Sequence, residues 1–301
     1  MNKKTISVLL LLCISFLAHI PVSAAAENVE TAKKDFLWKV SSKNSTAYLF
    51  GSIHLAKSDI YPLAPTIEKC FGKSSVLALE ADPEKGNDPD LQQRMLLAAL
   101  YDDGDTLRKH LSQQTYDVVV GEMKRIGLPM EAFSKTKPWF LALTIGITEL
   151  QRLGFNQEYG IDRYFAGKAR GKKKIVQLES FDYQINLLNG FSDREQELFL
   201  LYTIRDIKNI EKYMDKMVFS WRTGDAKTME SILMETINES PDLQTIYEKL
   251  YYGRNREMAG RIEQYLNSGD THFIVVGAAH LVGERGIVEL LRKKGYKVEQ
   301  L

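Results

Sequence analysis

Two apolar runs in this chain end the same way. "AYLFGSIH" (residues 47–54) and "FIVVGAAH" (residues 273–280) each close on Gly-x-x-His. With "SVLALE" and "KKIVQLE" they make four short stretches rich in Val, Ile, Leu and Phe, and helical spacing fills most of the chain between them. Unbroken apolar runs of this length read as strands buried on both faces, and strands separated by helices pair in parallel. The fold class expected is α/β, a central largely parallel or mixed sheet with a large helical insertion around residues 89–268. "FLWKV" and "TAYLFGSI", joined by "SSKNS", read as a hairpin. "RGIVELLRKKG" and "YKVEQL" close the chain as helix and strand.

Ligands of open α/β sheets sit off the carboxyl ends of the strands. Here those ends carry His54, Glu80, Glu179 and His280. Gly51 and Gly277 let the backbone turn sharply or let another group come close. Two imidazoles and a carboxylate suit zinc, manganese, cobalt or iron with positions left for water. A second carboxylate can then take a proton from that water. The expected metal ligands are His54, His280 and Glu80, with catalytic roles for Glu179, Glu80 and Arg254; which glutamate is ligand and which is base stays open. Arg254, opening the helical "RNREMAGRI", would stabilise a developing anion. Glu284, four residues after His280, would flank the site if helical.

Every one of these residues also has a plain structural reading. A histidine after a strand is most often a hydrogen-bonded core or loop residue, Glu80 with Asp82 would cap the next segment, and Glu179 would pair with Lys174. The recurrence favours chemistry. Of the four histidines beyond residue 24, only His54 and His280 share the strand-Gly-x-x context; His110 and His272 read as surface residues.

The first 24 residues have their own texture: basic "MNKK", apolar "TISVLLLLCISFLAHI", then small residues in "PVSAAA". That is a secretory signal, cleaved after Ala24. Its apolar core is short for the ~20 residues of a membrane span. Its removal takes Lys3 and Lys4 and no acid, which turns a net charge of +1 into −1. Such a balance excludes an electrostatic nucleic-acid binder, and "RGKKK" reads as a solvated turn. Cys13 leaves with the signal, so Cys70 stands alone as a packed helix residue and no intrachain disulfide forms. Export without disulfides fits a bacterial periplasmic or secreted envelope protein. HExxH, GxSxG, GxxxxGK[ST] and CxxC are all absent.

"YLFGSIHLA", "LALEAD", "YGIDRYF", "IVQLES", "RNREMAGRI" and "VVGAAHLVGERGIVELLRKKGYKV" together resemble the TraB/GumN family. That family includes the TIKI-type membrane metalloproteases and is distantly similar to erythromycin-esterase and haem-uptake ChaN-like proteins. The resemblance runs over residues 36–301. It puts the family's paired histidines on His54 and His280, its acidic positions on Glu80 and Glu179, its Arg-Asn pair on Arg254 and Asn255, and its Gly-x-Asp on Gly160 and Asp162. It implies a divalent-metal peptidase using manganese or cobalt on a peptide or protein substrate, and the donor set adds zinc to the candidate metals. No membrane span is expected in the mature chain, here taken as one domain over residues 25–301. Two alternatives stand beside the hydrolase: a haem- or metal-binding envelope protein without catalysis, and an accessory factor of polysaccharide or pheromone pathways.

Overall fold

The computed structural model describes residues 34–239 and 241–301; the signal segment, residues 1–24, lies outside them. Six strands form one sheet: β1 (Leu37–Ser41), β2 (Thr46–Ser52), β3 (Val76–Leu79), β4 (Lys174–Gln177), β5 (His272–Gly277) and β6 (Lys297–Gln300), in the order β4-β3-β5-β2-β1-β6. Four neighbours, β4, β3, β5 and β2, run parallel; β1 pairs antiparallel with both β2 and β6. The sheet is thus mixed, with a parallel core. The β1–β2 hairpin matches Val40 to Ala47 and Ser41 to Thr46.

Burial explains the sequence texture. Every residue of β3 and β5 is buried, as is all of β2 after Thr46, so these strands have no polar face to alternate with. The edge strands β4 and β6 are partly exposed and carry the lysines and glutamines. Helices cover the sheet in two blocks, since β4 interrupts the helical region between β3 and β5. Among the described residues, no helix is long and apolar enough to cross a membrane.

Two packing contacts matter for the strand ends. Phe165, on the helix Ile161–Ala169, meets Phe50 of β2 edge-on at 5.8 Å and Phe273 of β5 at 4.8 Å between ring centres. Trp221 donates its indole N–H to the Gly51 carbonyl at 2.7 Å. Both clamp the last turn of β2, and the first fixes the helix that carries Asp162. Cys70 is buried in the helix Pro65–Lys73, as expected. His272 is not a surface residue. It opens β5 between Ala47 and Val76, is 4% exposed, and lies flat on Tyr265 at 4.7 Å. Its polar neighbours in sequence hid a position that the sheet covers. His110 is half-buried, held between Asp105 at 2.8 Å and Asp193 at 3.1 Å.

Candidate metal centre at the strand ends

The parallel register brings the strand ends level. Ser52 pairs with Gly277, and the ladder continues past β3 and β4 through Glu80 N–H to Val275 O at 3.1 Å and Glu179 N–H to Glu80 O at 2.8 Å. His54 follows β2 by two residues, and His280 sits on the 3-10 turn Ala278–Leu281 after β5. The two meet over Gly277. A Cβ there would come within 3.1 Å of His54 Nε2, 3.3 Å of His280 Cδ2 and 3.6 Å of Glu80 Oε2. Any side chain at this point would crowd three others at once, so glycine leaves His54, His280 and Glu80 room to converge.

Each imidazole is held by its Nδ1. His54 Nδ1 lies 2.7 Å from Asp162 Oδ2, which also accepts from the Ser52 hydroxyl. Gly160, just before Asp162, packs so closely on the His54 carbonyl that a Cβ would collide with it. His280 Nδ1 lies 2.6 Å from Asn255 Oδ1. Asn255 Nδ2 donates to Arg285 O at 2.9 Å, which orients the amide so that its oxygen faces His280. Nδ1 must then be the donor, and Nε2 keeps its lone pair. Tyr251 stacks on the His280 ring at 5.3 Å and donates to the Ala279 and Val282 carbonyls, closing the far side.

Behind the histidines lies a buried charge group. Arg254 donates Nε to Glu179 Oε1 at 2.9 Å and Nη2 to Glu179 Oε2 at 2.7 Å, and Nη2 also bonds Glu80 Oε1. All three side chains are 2% exposed. Gln184 Nε2 bridges the carboxylates, 3.3 Å from Glu80 and 3.1 Å from Glu179. Arg254 opens the helix Arg254–Leu266 after a π-helical turn, Glu248–Gly253, a widening often found at functional sites. Successive helical residues diverge, so Arg254 reaches the carboxylates while Asn255 reaches His280.

Glu80 turns its other oxygen, Oε2, toward the histidines, 3.8 Å from His54 Nε2, and accepts the Gly277 N–H at 3.1 Å. Burial alone would raise its pKa; Arg254, His280, His54 and the Gly277 N–H outweigh burial and hold it well below the usual carboxylate range. Burial opposes the His54 imidazolium, but Asp162 overrides it and pushes the pKa up to about 9. For His280, burial and the Arg254 charge both act downward, to about 3.

All five residues expected at the site are therefore together: His54, His280, Glu80, Glu179 and Arg254. Glu179 pairs with Arg254 and not with Lys174, which is exposed on β4. Asp82 accepts the Glu84 N–H at 3.2 Å, the capping contact expected of it, and pairs with Arg170 at 3.2 Å, away from the histidines. Glu284 is exposed on the turn after His280 and does not join. Ser52, Gln184 and Tyr251 join the site without being expected there. Tyr251 stands one helical turn before Asn255, a signal the sequence carries; Ser52 and Gln184 carry none.

Among the described residues, no three His, Cys, Asp or Glu side chains form a finished metal cage. One donor pair nonetheless comes close to ligand spacing. Two ligands on a tetrahedral ion at 2.0–2.1 Å stand about 3.4 Å apart, and His54 Nε2 to Glu80 Oε2 is 3.8 Å. Roughly half an ångström of movement closes that difference. A haem does not fit: the hollow between the histidines encloses about 40 Å³, against ~300–1,000 Å³ for pockets that take drug-sized ligands.

A model of the family described as TraB/PrgY/gumN matches residues 36–300. The uncharacterized protein YbaP of Escherichia coli (strain K12) is 26% identical over 250 residues, covering 83% of this chain and 89% of that protein. Metalloprotease TIKI2 of Xenopus tropicalis is 24% identical over 340 residues, covering 93% of this chain and 63% of its own. A metalloprotease TIKI homolog of Nematostella vectensis is 23% identical, covering 88% and 66%. No solved structure matches.

Proposed function

The chain belongs to the TraB/PrgY/gumN family, and from that premise we propose that it is an exported divalent-metal hydrolase acting on peptide bonds. One observation carries the reading. Both histidines spend Nδ1 on a neighbouring oxygen, which leaves Nε2 of each ring for a ligand role, and His54 Nε2 lies 3.8 Å from a carboxylate held ionised. The distant relatives named as metalloproteases support the same chemistry.

Zinc, manganese or cobalt bound there would polarise a carbonyl and make a water acidic. His54, His280 and Glu80 would hold it. A carboxylate kept so far below neutral is a poor proton acceptor and a good ligand, so Glu80 is assigned as third ligand and not as base. Glu179 has both oxygens on Arg254 and positions that guanidinium. Arg254 keeps Glu80 charged and aimed. Asp162 and Asn255 fix the rings, as outer partners of metal-bound histidines do.

The test is cleavage of a mixed peptide library by the mature protein. Chelation should abolish cleavage, and manganese, cobalt or zinc should restore it in the parent but not in His54→Ala or His280→Ala. Cleavage that survives chelation and both substitutions overturns the proposal. The proposal also puts the protein in the periplasm or outside the cell. Terminal sequencing of the exported form should begin near Ala25; an intact Met1 in the membrane fraction contradicts that.

A further inference from the structure

Two hollows open beside His54. One is rimmed by Glu80, Asp162 and Arg163 and shares its walls with Ala81, Pro83 and Phe181. The other lies toward His280, and its walls are Ile53, Leu55, Leu150, Met214 and Met217, each at most 6% exposed. The walls come from three places: the end of β2, the helix Pro138–Arg152 and the helix Ile210–Arg222. Met214 and Met217 are three residues apart and share one face of their helix.

Size and polarity together say what the apolar hollow accepts. It offers about 40 Å³, well short of the ~150 Å³ of a dry apolar cavity that takes benzene. That leaves room for the branched end of a small aliphatic side chain and not for a phenyl ring. Water gains little in a hollow walled mostly by hydrocarbon, because each molecule there needs two to four polar partners. An aliphatic group gains by leaving solvent. Met214 and Met217 set the depth, since an unbranched thioether chain adapts to what it meets.

The geometry points to a subsite for a small aliphatic side chain of a peptide, seated between the strand ends and the two methionines. Occupied in that way, the subsite lays the neighbouring peptide bond beside His54 and His280, and the second hollow, with Glu80, Asp162 and Arg163 on its rim, faces the continuing chain. The substrate class is therefore a peptide with Val, Leu or Ile next to the cleaved bond. This deepens the hydrolase proposal and rests on it for the cleavage, though not for the binding.

The measurement uses the mature protein with ¹³C-methyl methionine, titrated with the N-acetyl amides of leucine, glycine and phenylalanine. The leucine compound should shift the Met214 and Met217 methyl signals. The glycine compound should leave them in place, and the phenylalanine compound should bind about tenfold more weakly or worse. Met217→Ala opens the hollow, so the phenylalanine compound should then bind at least as well as leucine; Met214→Ala makes the same comparison if Met217→Ala does not fold. Methionine signals unmoved by the leucine compound, or moved alike by all three, overturn the subsite. Discrimination among the three compounds without any peptide cleavage keeps the subsite and overturns the hydrolase. Cleavage with no aliphatic preference does the reverse.

Discussion

His54 and His280 stand at equivalent ends of adjacent parallel strands, yet the side chains behind them are opposites. Asp162, a carboxylate, backs His54 at 2.7 Å; Asn255, a neutral amide, backs His280 at 2.6 Å. His54 keeps 14% of its side chain exposed, while His280 is 1% exposed and lies in the field of Arg254. One ring is thus biased toward imidazolium, with a pKa of about 9, and the other toward the neutral form, with a pKa of about 3. The difference shows how a fold keeps two imidazoles side by side without two adjacent positive charges. It also separates duties. The His54 arm brings anionic support, and the His280 arm brings a ring already neutral and fixed.

The largest test removes what the arms share. Arg254→Met should leave Glu80 and Glu179 buried without a cation, at a cost of ~3–5 kcal/mol in stability by denaturant unfolding. A cost below ~1 kcal/mol would mean that the charge group is not what holds the two sides together. Next, His54→Ala and His280→Ala should each weaken metal binding by more than the ~10–100-fold expected for losing an outer partner, as read by calorimetry. If only one of them did so, the arms would not be joint ligands.

A finer comparison exchanges the backing groups. Asp162→Asn and Asn255→Ala should each weaken metal binding by ~10–100-fold, the former more, because it removes a charge as well as an acceptor. Asp162→Asn should also bring the His54 pKa down, whereas Asn255→Ala should leave His54 where it is. Equal effects of the two on the His54 titration would erase the asymmetry.

The smallest effect is the pH response of the chelator-treated protein. The folded pKa of His54, about 9, lies above its ordinary 6.5. Its contribution to stability is complete below about pH 6.5 and is lost as pH rises toward 9. The folded pKa of His280, about 3, lies below its ordinary 6.5. Its contribution is complete above about pH 6.5 and is lost as pH falls toward 3. Imidazole ¹⁵N spectra at pH 7.5 should therefore show the His54 ring charged and the His280 ring neutral. Two neutral rings would remove the Asp162 effect.

Much of this was readable in the chain. The hairpin, the buried texture of β2, β3 and β5, and the four strand-end residues follow from apolar runs and their last letters, because a strand buried on both faces leaves its polar residues for the ends. Arg254 and Asn255 could be placed at a helix start. Their partners could not, since "YGRNREMAG" contains nothing that names Glu179, Glu80 or His280. His272 shows the same limit from the other side. Its neighbours Asp270 and Thr271 are polar, and only the pairing of β5 with strands on both sides buries it.

The sequence by itself determined the donor atoms: two histidines after Gly-x-x and two glutamates closing apolar runs. Tertiary structure decided that they meet. The last parallel strand in the chain, β5, slots between β2 and β3, and this puts the strand that delivers His280 from the far end of the sequence between those that deliver His54 and Glu80. No local pattern encodes that order, because strand pairing is settled by hydrogen bonds and helix packing between segments more than 200 residues apart, as in Ala47 against His272. The same assembly brings in Asp162 on one helix and Arg254 and Asn255 on another. Whether each histidine is charged is therefore a property of the fold, since the two motifs that deliver them are alike.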